Sequence, residues 1–285
     1  MARSIYIASP NAGTGKSTVA LGLVSCLTKV VAKVGVFRPF VESREGDAFL
    51  SLLLNRAGST TPPEQCVGAT WDEFHADPEE ALARIVDAYR AMAREHDVVI
   101  IDGSDFTDVA GNPELALNAR VAANIGVPVL LVVSGQHDVE DVVASVEVSM
   151  AEIADNHART VAVVANKCLP ETRQAIGEAL TAIEGITSTT LPEIPLLAAP
   201  VVREVLDAVE GTLIAGDETL LDREAESVLV CAMDVSHVLE RLTAGQLAIV
   251  PADRSAMLIS LMAAQASSSF PILSGLILNG GFEVA

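Results

Sequence analysis

The chain has 285 residues, with 18 basic and 38 acidic side chains, a net charge of −20 and a pI near 4.5. That length accommodates one large domain or two modest ones with a full apolar core. Half of the residues are hydrophobic and the mean hydropathy is +0.41, which excludes intrinsic disorder. So acidic a surface repels nucleic acid and anionic membranes, but backbone N–H groups can still hold a small anion locally.

Aromatic residues make up only 4%, so the apolar content is aliphatic. Short aliphatic runs at 4–8, 34–37, 98–102, 128–133 and 161–165 read as strands buried on both faces. Helix-like segments at 17–33, 78–94, 113–125, 139–155 and 171–184 separate them. Pro78 and Pro113 fit the first turn of a helix, with Asp77 and Asn112 as cap candidates. This alternation predicts an α/β fold with a doubly wound, mostly parallel sheet over 1–215. A turn at 211–216 and an acidic stretch at 217–226, read as a solvated linker, lead into a smaller α/β unit over 216–285. There, strand-like runs at 228–232, 246–250 and 271–278 alternate with helix-like segments at 235–242 and 254–266. The chain stops just after the last of these runs, as expected of a piece of a longer protein.

Cys26, Cys66, Cys168 and Cys231 lie far apart without metal spacing and read as reduced thiols. No leader-like or membrane-spanning run is visible, so a cytoplasmic protein is expected. The five histidines form no ligand pair, and no catalytic triad can be traced.

The strongest chemical signal is Ser9-Pro10-Asn11-Ala12-Gly13-Thr14-Gly15-Lys16-Ser17-Thr18, between the first strand and the first long helix. Glycines let N–H groups turn inward around a phosphate, and the helix N-terminus adds positive potential. Lys16 supplies a cation for the outer phosphates, and the Ser17 hydroxyl is placed for Mg²⁺. Pro10 departs from the usual pattern, which has glycine there. Without ligand, Lys16 is expected to face solvent, so its removal is expected to leave the fold intact.

Asp102 ends a buried-type strand and Asp47 follows the second one, so either carboxylate could complete a Mg²⁺ site with Ser17. Asp47 also fits a helix N-cap. Asp105 and Asp108 read as loop surface. Arg38 suits a phosphate, a substrate carboxylate or a strand-end ion pair. Asn166, followed by Lys167, offers both a donor and an acceptor to an adenine edge. Trp71-Asp72-Glu73-Phe74-His75 reads as a packed helix edge.

Several motifs occur in the order seen in dethiobiotin-synthetase-like P-loop proteins. They are the loop, Phe37-Arg38-Pro39, Gly46-Asp47-Ala48, Asp102-Gly103, Asn166-Lys167 and Leu191-Pro192-Glu193-Ile194-Pro195. The stretch from Leu196 to Val205 resembles, more closely, the N-terminal region of the long bacterial phosphate acetyltransferases. Leu242-Thr243-Ala244-Gly245, Pro251-Ala252-Asp253-Arg254 and Leu278-Asn279-Gly280-Gly281 resemble a DRTGG domain. The likeness covers essentially the whole chain.

The resemblance implies ATP or ADP at Gly13, Thr14, Gly15, Lys16, Ser17 and Thr18, with Arg38 and Asn166 nearby. It also implies Mg²⁺ at Ser17, Asp47 and Asp102, the nucleotide being regulatory rather than catalytic. The chain departs from dethiobiotin synthetase in Arg38 for Lys, in Asp102-Gly103-Ser104 for Glu and a Gly-rich turn, and in lacking its diaminopelargonate loop.

In the long phosphate acetyltransferases, a C-terminal domain interconverts acetyl-CoA plus phosphate with acetyl phosphate plus CoA. The N-terminal region modulates that activity and helps assemble the homo-oligomer. The resemblance therefore implies a regulatory region, with its own C-terminal acetyltransferase domain as partner and no catalytic residue of its own. The alternatives are a free-standing ATP-dependent ligase or ATPase of the dethiobiotin-synthetase type, and an interaction module with a relic loop.

Overall fold

The computed structural model describes residues 3–104 and 114–282. Asp105, Asp108, Asn112 and Pro113, named above, lie outside them. The chain divides into two compact units, 1–193 and 194–285.

The first unit contains β1 (Arg3–Ala8), α1 (Lys16–Leu27), β2 (Val34–Val41), α2 (Ala48–Ala57), β3 (Val67–Thr70), α3 (Trp71–Ala76) and α4 (Pro78–Glu95). It continues with β4 (Val98–Asp102), α5 (Glu114–Ile125), β5 (Val129–Ser134), α6 (Val139–Asp155), β6 (Thr160–Cys168), α7 (Arg173–Thr181) and β7 (Thr187–Pro192). Its seven strands run in the order β3-β2-β4-β1-β5-β6-β7, and every pairing is parallel. All eight residues of β2 are buried, so helices cover both faces of the sheet, as the near-continuous apolar runs require. β1 lies between β4 and β5, so the loop that follows it opens at the middle of the sheet's C-terminal edge.

Local signals account for the boundaries. The Asp77 carboxylate accepts from the N–H groups of Glu79 and Glu80 at the start of α4. Thr70 and Glu73 form a reciprocal capping box on α3, the packed helix edge foreseen there. The first helix is shorter than the expected 17–33. It ends at Leu27, and tight turn bonds from Lys29 to Cys26 and from Val30 to Leu27 fold the chain back toward β2. Val30, apolar but 80% exposed, belongs to that turn and not to a helix face.

The second unit carries α8 (Val202–Ala208), β8 (Ser227–Val230), α9 (Val235–Leu239), β9 (Gln246–Pro251), α10 (Ser255–Gln265) and β10 (Gly275–Asn279). Its sheet is parallel in the order β10-β9-β8. Val238, Val250, Met257 and Leu261 form its core with the buried Cys231. The acidic stretch is mostly exposed, yet it forms a 3₁₀ turn that buries Leu221. Among the described residues, no helix is long and apolar enough to cross a membrane.

Candidate functional site

The loop turns through Gly13 and Gly15 at φ of 76° and 79°. Gly15 is the left-handed N-cap of α1 and provides no capping side chain, so α1 has open N–H groups in its first turn. α1 also has no acidic residue in that turn, whereas α4 has Glu79 and Glu80. An unneutralised helix N-terminus behind a glycine turn is suited to an anion. Thr14 is buried, Ser17 half-buried and Thr18 exposed.

The structure corrects the expectation for Lys16. Its side chain is 1% exposed rather than solvent-facing. The Nζ donates to Asp102 Oδ1 at 2.6 Å and to the Gly103 carbonyl. Asp102, at the end of β4, is fully buried. A buried charge is tolerated only when paired, and Lys16 pairs with one oxygen of Asp102.

Arg38 extends the chain of charges. Its Nε lies 3.4 Å from Asp102 Oδ2, and its Nη1 pairs with Asp47 Oδ2. The guanidinium also sits over the Phe49 ring, 5.9 Å from the centroid. Asp47 is the N-cap of α2, with Oδ1 accepting from the Leu50 N–H at 2.8 Å. Lys16, Asp102, Arg38 and Asp47 thus form one alternating row, assembled from the start of α1, the end of β4, β2 and the N-cap of α2.

On the other side of the loop stands the end of β6. Asn166 Nδ2 donates to the Thr14 carbonyl at 2.8 Å, and Lys167 Nζ donates to the Gly13 carbonyl at 2.8 Å. A Cβ on Gly15 would overlap the Asn166 amide. Asn166 is therefore against the loop, with one amide hydrogen already used there.

Of the residues expected around Mg²⁺, the two carboxylates are already engaged, Asp47 with Arg38 and Asp102 with Lys16 and Arg38. Mg²⁺ is ordinarily held by one or two carboxylates with waters and phosphate oxygens. Both Asp47 oxygens are committed, one to the helix cap and one to Arg38. Asp102 Oδ2 is buried without a hydrogen bond, but the neighbouring group is cationic Arg38. Among the described residues, no three His, Cys, Asp or Glu side chains converge to hold a metal.

Two residues outside the sequence expectations fix the turn that follows Asp102. The buried Asn118 on α5 accepts from the Tyr6 hydroxyl at 2.6 Å and from the Ser104 N–H at 3.0 Å. Burial, with the Asp102 charge second, pushes the Tyr6 phenol well above its usual range. A Cβ on Gly103 would come within 2.5 Å of Asn118 Oδ1 and 2.7 Å of the Ile7 carbonyl, so only glycine allows this approach. The available signal for Asn118 was an amide set among the apolar positions Leu115, Ala119 and Ala122.

The parallel sheet with a glycine-lysine-serine loop after its central strand defines a P-loop α/β protein. Residues 3–204 match the AAA domain, and the chain belongs to that family. Residues 204–285 match the DRTGG domain. A phosphate acetyltransferase of Nitratidesulfovibrio vulgaris is 27% identical over 300 residues, covering 100% of this chain and 42% of that protein. One from Synechocystis is 25% identical over 296 residues, covering 99% and 42%. The chain thus spans about 42% of the length of these relatives. A putative plasmid partition protein from Borrelia burgdorferi, solved bound to AMPPNP, aligns at 14% identity and a TM-score of 0.49, covering 76% of this chain and 93% of that one. The two domains in this order, with partial coverage of the relatives, fit the N-terminal region of the long phosphate acetyltransferases that the motifs resemble.

Proposed function

We propose that this chain is the nucleotide-binding, regulatory region of a phosphate acetyltransferase and does not itself transfer acetyl groups. The reading rests on one observation above the others. An AAA domain and a DRTGG domain together account for this chain, while the relatives named phosphate acetyltransferase are more than twice as long. The partner is then the acetyltransferase domain of the same polypeptide, in a cytoplasmic homo-oligomer. The domain boundary near 215 is part of the same proposal.

ATP or ADP is the proposed ligand. Its phosphates would be bound by N–H groups of Gly13, Thr14, Gly15, Lys16, Ser17 and Thr18 and by the Lys16 ammonium. The base would lie toward Asn166, which retains Oδ1 and one amide hydrogen. Because the protein carries −20, binding depends on these local groups rather than on long-range attraction. Lys16 must exchange Asp102 for phosphate, so ligand binding and the ionic row are linked.

Titration calorimetry with ADP on wild type and Lys16→Ala tests the site. Loss of one charge-assisted contact should weaken binding by roughly tenfold to a hundredfold. Equal affinities in the two proteins would sink the assignment. A thiol-release assay for acetyl-CoA with phosphate tests the other half, and sustained turnover by this chain would overturn the regulatory reading.

A further inference from the structure

We infer that the nucleotide site operates without a divalent metal, with the Arg38 guanidinium as its built-in cation. The inference rests on the nucleotide reading above and specifies the form of ligand: a phosphate-bearing nucleotide taken up free of metal.

Three observations carry it. The four side chains of the row are two cations and two anions, so within the row, among the described residues, Lys16 and Arg38 balance the charges of Asp47 and Asp102 that Mg²⁺ would need. Asp47 is spent on the α2 cap and on Arg38, which removes the second expected ligand. Arg38 is 9% exposed and fixed by Asp47 and the Phe49 ring, yet its buried Nε has no hydrogen-bond partner and stands 3.4 Å from the equally unpartnered Asp102 Oδ2.

The consequence follows when Lys16 turns to a phosphate. Asp102 is fully buried and then loses its Lys16 contact. A buried carboxylate cannot stay ionised alone at small cost, so a cation must replace the lysine. Elsewhere a hydrated metal ion could serve. Here Arg38 is already beside Asp102 with an unused N–H, and a reorientation that also shortens the 3.4 Å approach would make a hydrogen bond. The same guanidinium repels a divalent ion from that oxygen.

Calorimetry of wild type with ADP, once in excess magnesium and once in EDTA, tests the inference without any variant. The expected affinities differ by less than about threefold. Binding tighter by tenfold or more in magnesium (about 1.4 kcal/mol) would overturn it and leave the nucleotide reading standing. No binding in either buffer would sink the nucleotide reading and the inference with it. Arg38→Ala should lose at least about tenfold in the EDTA titration. It should also bind Mn²⁺ alone, followed by its electron paramagnetic resonance signal, because Asp47 Oδ2 and Asp102 Oδ2 then lose their cation. Wild type should leave the Mn²⁺ signal at its free value, and a bound signal in wild type would count against the inference.

Discussion

The loop after β1 is held from two sides by different chemistry. Toward β4 and β2 it meets buried full charges, Asp102 and Arg38. Toward β6 it meets side-chain donors, Asn166 and Lys167, that engage loop carbonyls. The β6 side satisfies acceptors of the loop and takes up none of its N–H groups through these two bonds. The β4 side ties down Lys16, a cation that a phosphate would need. The first contact sets the loop's shape and the second its readiness, so damage to the two sides should look different.

The largest effect is expected on the ionic side. Asp102→Ala leaves Lys16 and Arg38 buried without their shared partner. Breaking a buried ion pair by removing one member costs about 3–5 kcal/mol. Urea unfolding should show a loss of that size, and a loss below about 1 kcal/mol would mean that water already reaches these charges. Lys16→Ala should also destabilise, contrary to the expectation of an intact fold drawn from a solvent-facing side chain.

Next comes the junction of the two sides. Gly15→Ala forces a side chain into φ of 79° and into the Asn166 amide. Such backbone strain costs about 1–3 kcal/mol. Adding Asn166→Ala should relieve the overlap but not the strain, recovering about 0.5 kcal/mol or more in a double-mutant cycle. Strict additivity would mean that the amide does not press on the loop.

This junction marks where sequence reading reaches its limit. The strand, loop and helix around Lys16 were legible because glycine spacing and apolar runs are local. So was Asp102, since a carboxylate ending an apolar strand stands out. The burial of Lys16 was not, because its partner is 86 positions away and nothing local names it. β7 escaped notice because an edge strand of mostly exposed residues, four of its first five being Thr or Ser, has no apolar run. β3 has only four residues, too few for a period. Asp47 was open between cap and ligand, and only the fold brings Arg38 onto its free oxygen.

A smaller effect separates conformation from contact on the β6 side. Lys167 has a positive φ of 59° and donates to Gly13. Lys167→Ala loses the hydrogen bond and keeps the strain, for about 1 kcal/mol of destabilisation. Lys167→Gly loses the bond but relieves a left-handed residue, which returns about 1 kcal/mol. Thermal unfolding should therefore place Lys167→Gly near wild type and Lys167→Ala below it. The reverse order would show that the ammonium contact outweighs the backbone.

The smallest effect comes from a partly exposed ionic group that serves as the reference for the buried one. Glu73 pairs with Arg44 at 2.8 Å and Arg84 at 3.2 Å and accepts from the Thr70 N–H. The Thr70 bond first, and then Arg44 and Arg84, hold its carboxyl below the usual 4.5. A carboxyl depressed on folding adds stability above its unfolded value and loses it as pH falls through the folded one. Glu73→Gln keeps an acceptor for Thr70 and removes the charge. Its melting temperature should lie slightly below wild type above pH 4.5, and the gap should close on acidification. Salt should shrink the same gap at neutral pH, because exposed pairs are screened. The Asp102 effect should change little with salt, since its charges are buried. If salt moved both alike, the row at the loop would be hydrated, and Lys16 would have no need of Arg38 to take its place.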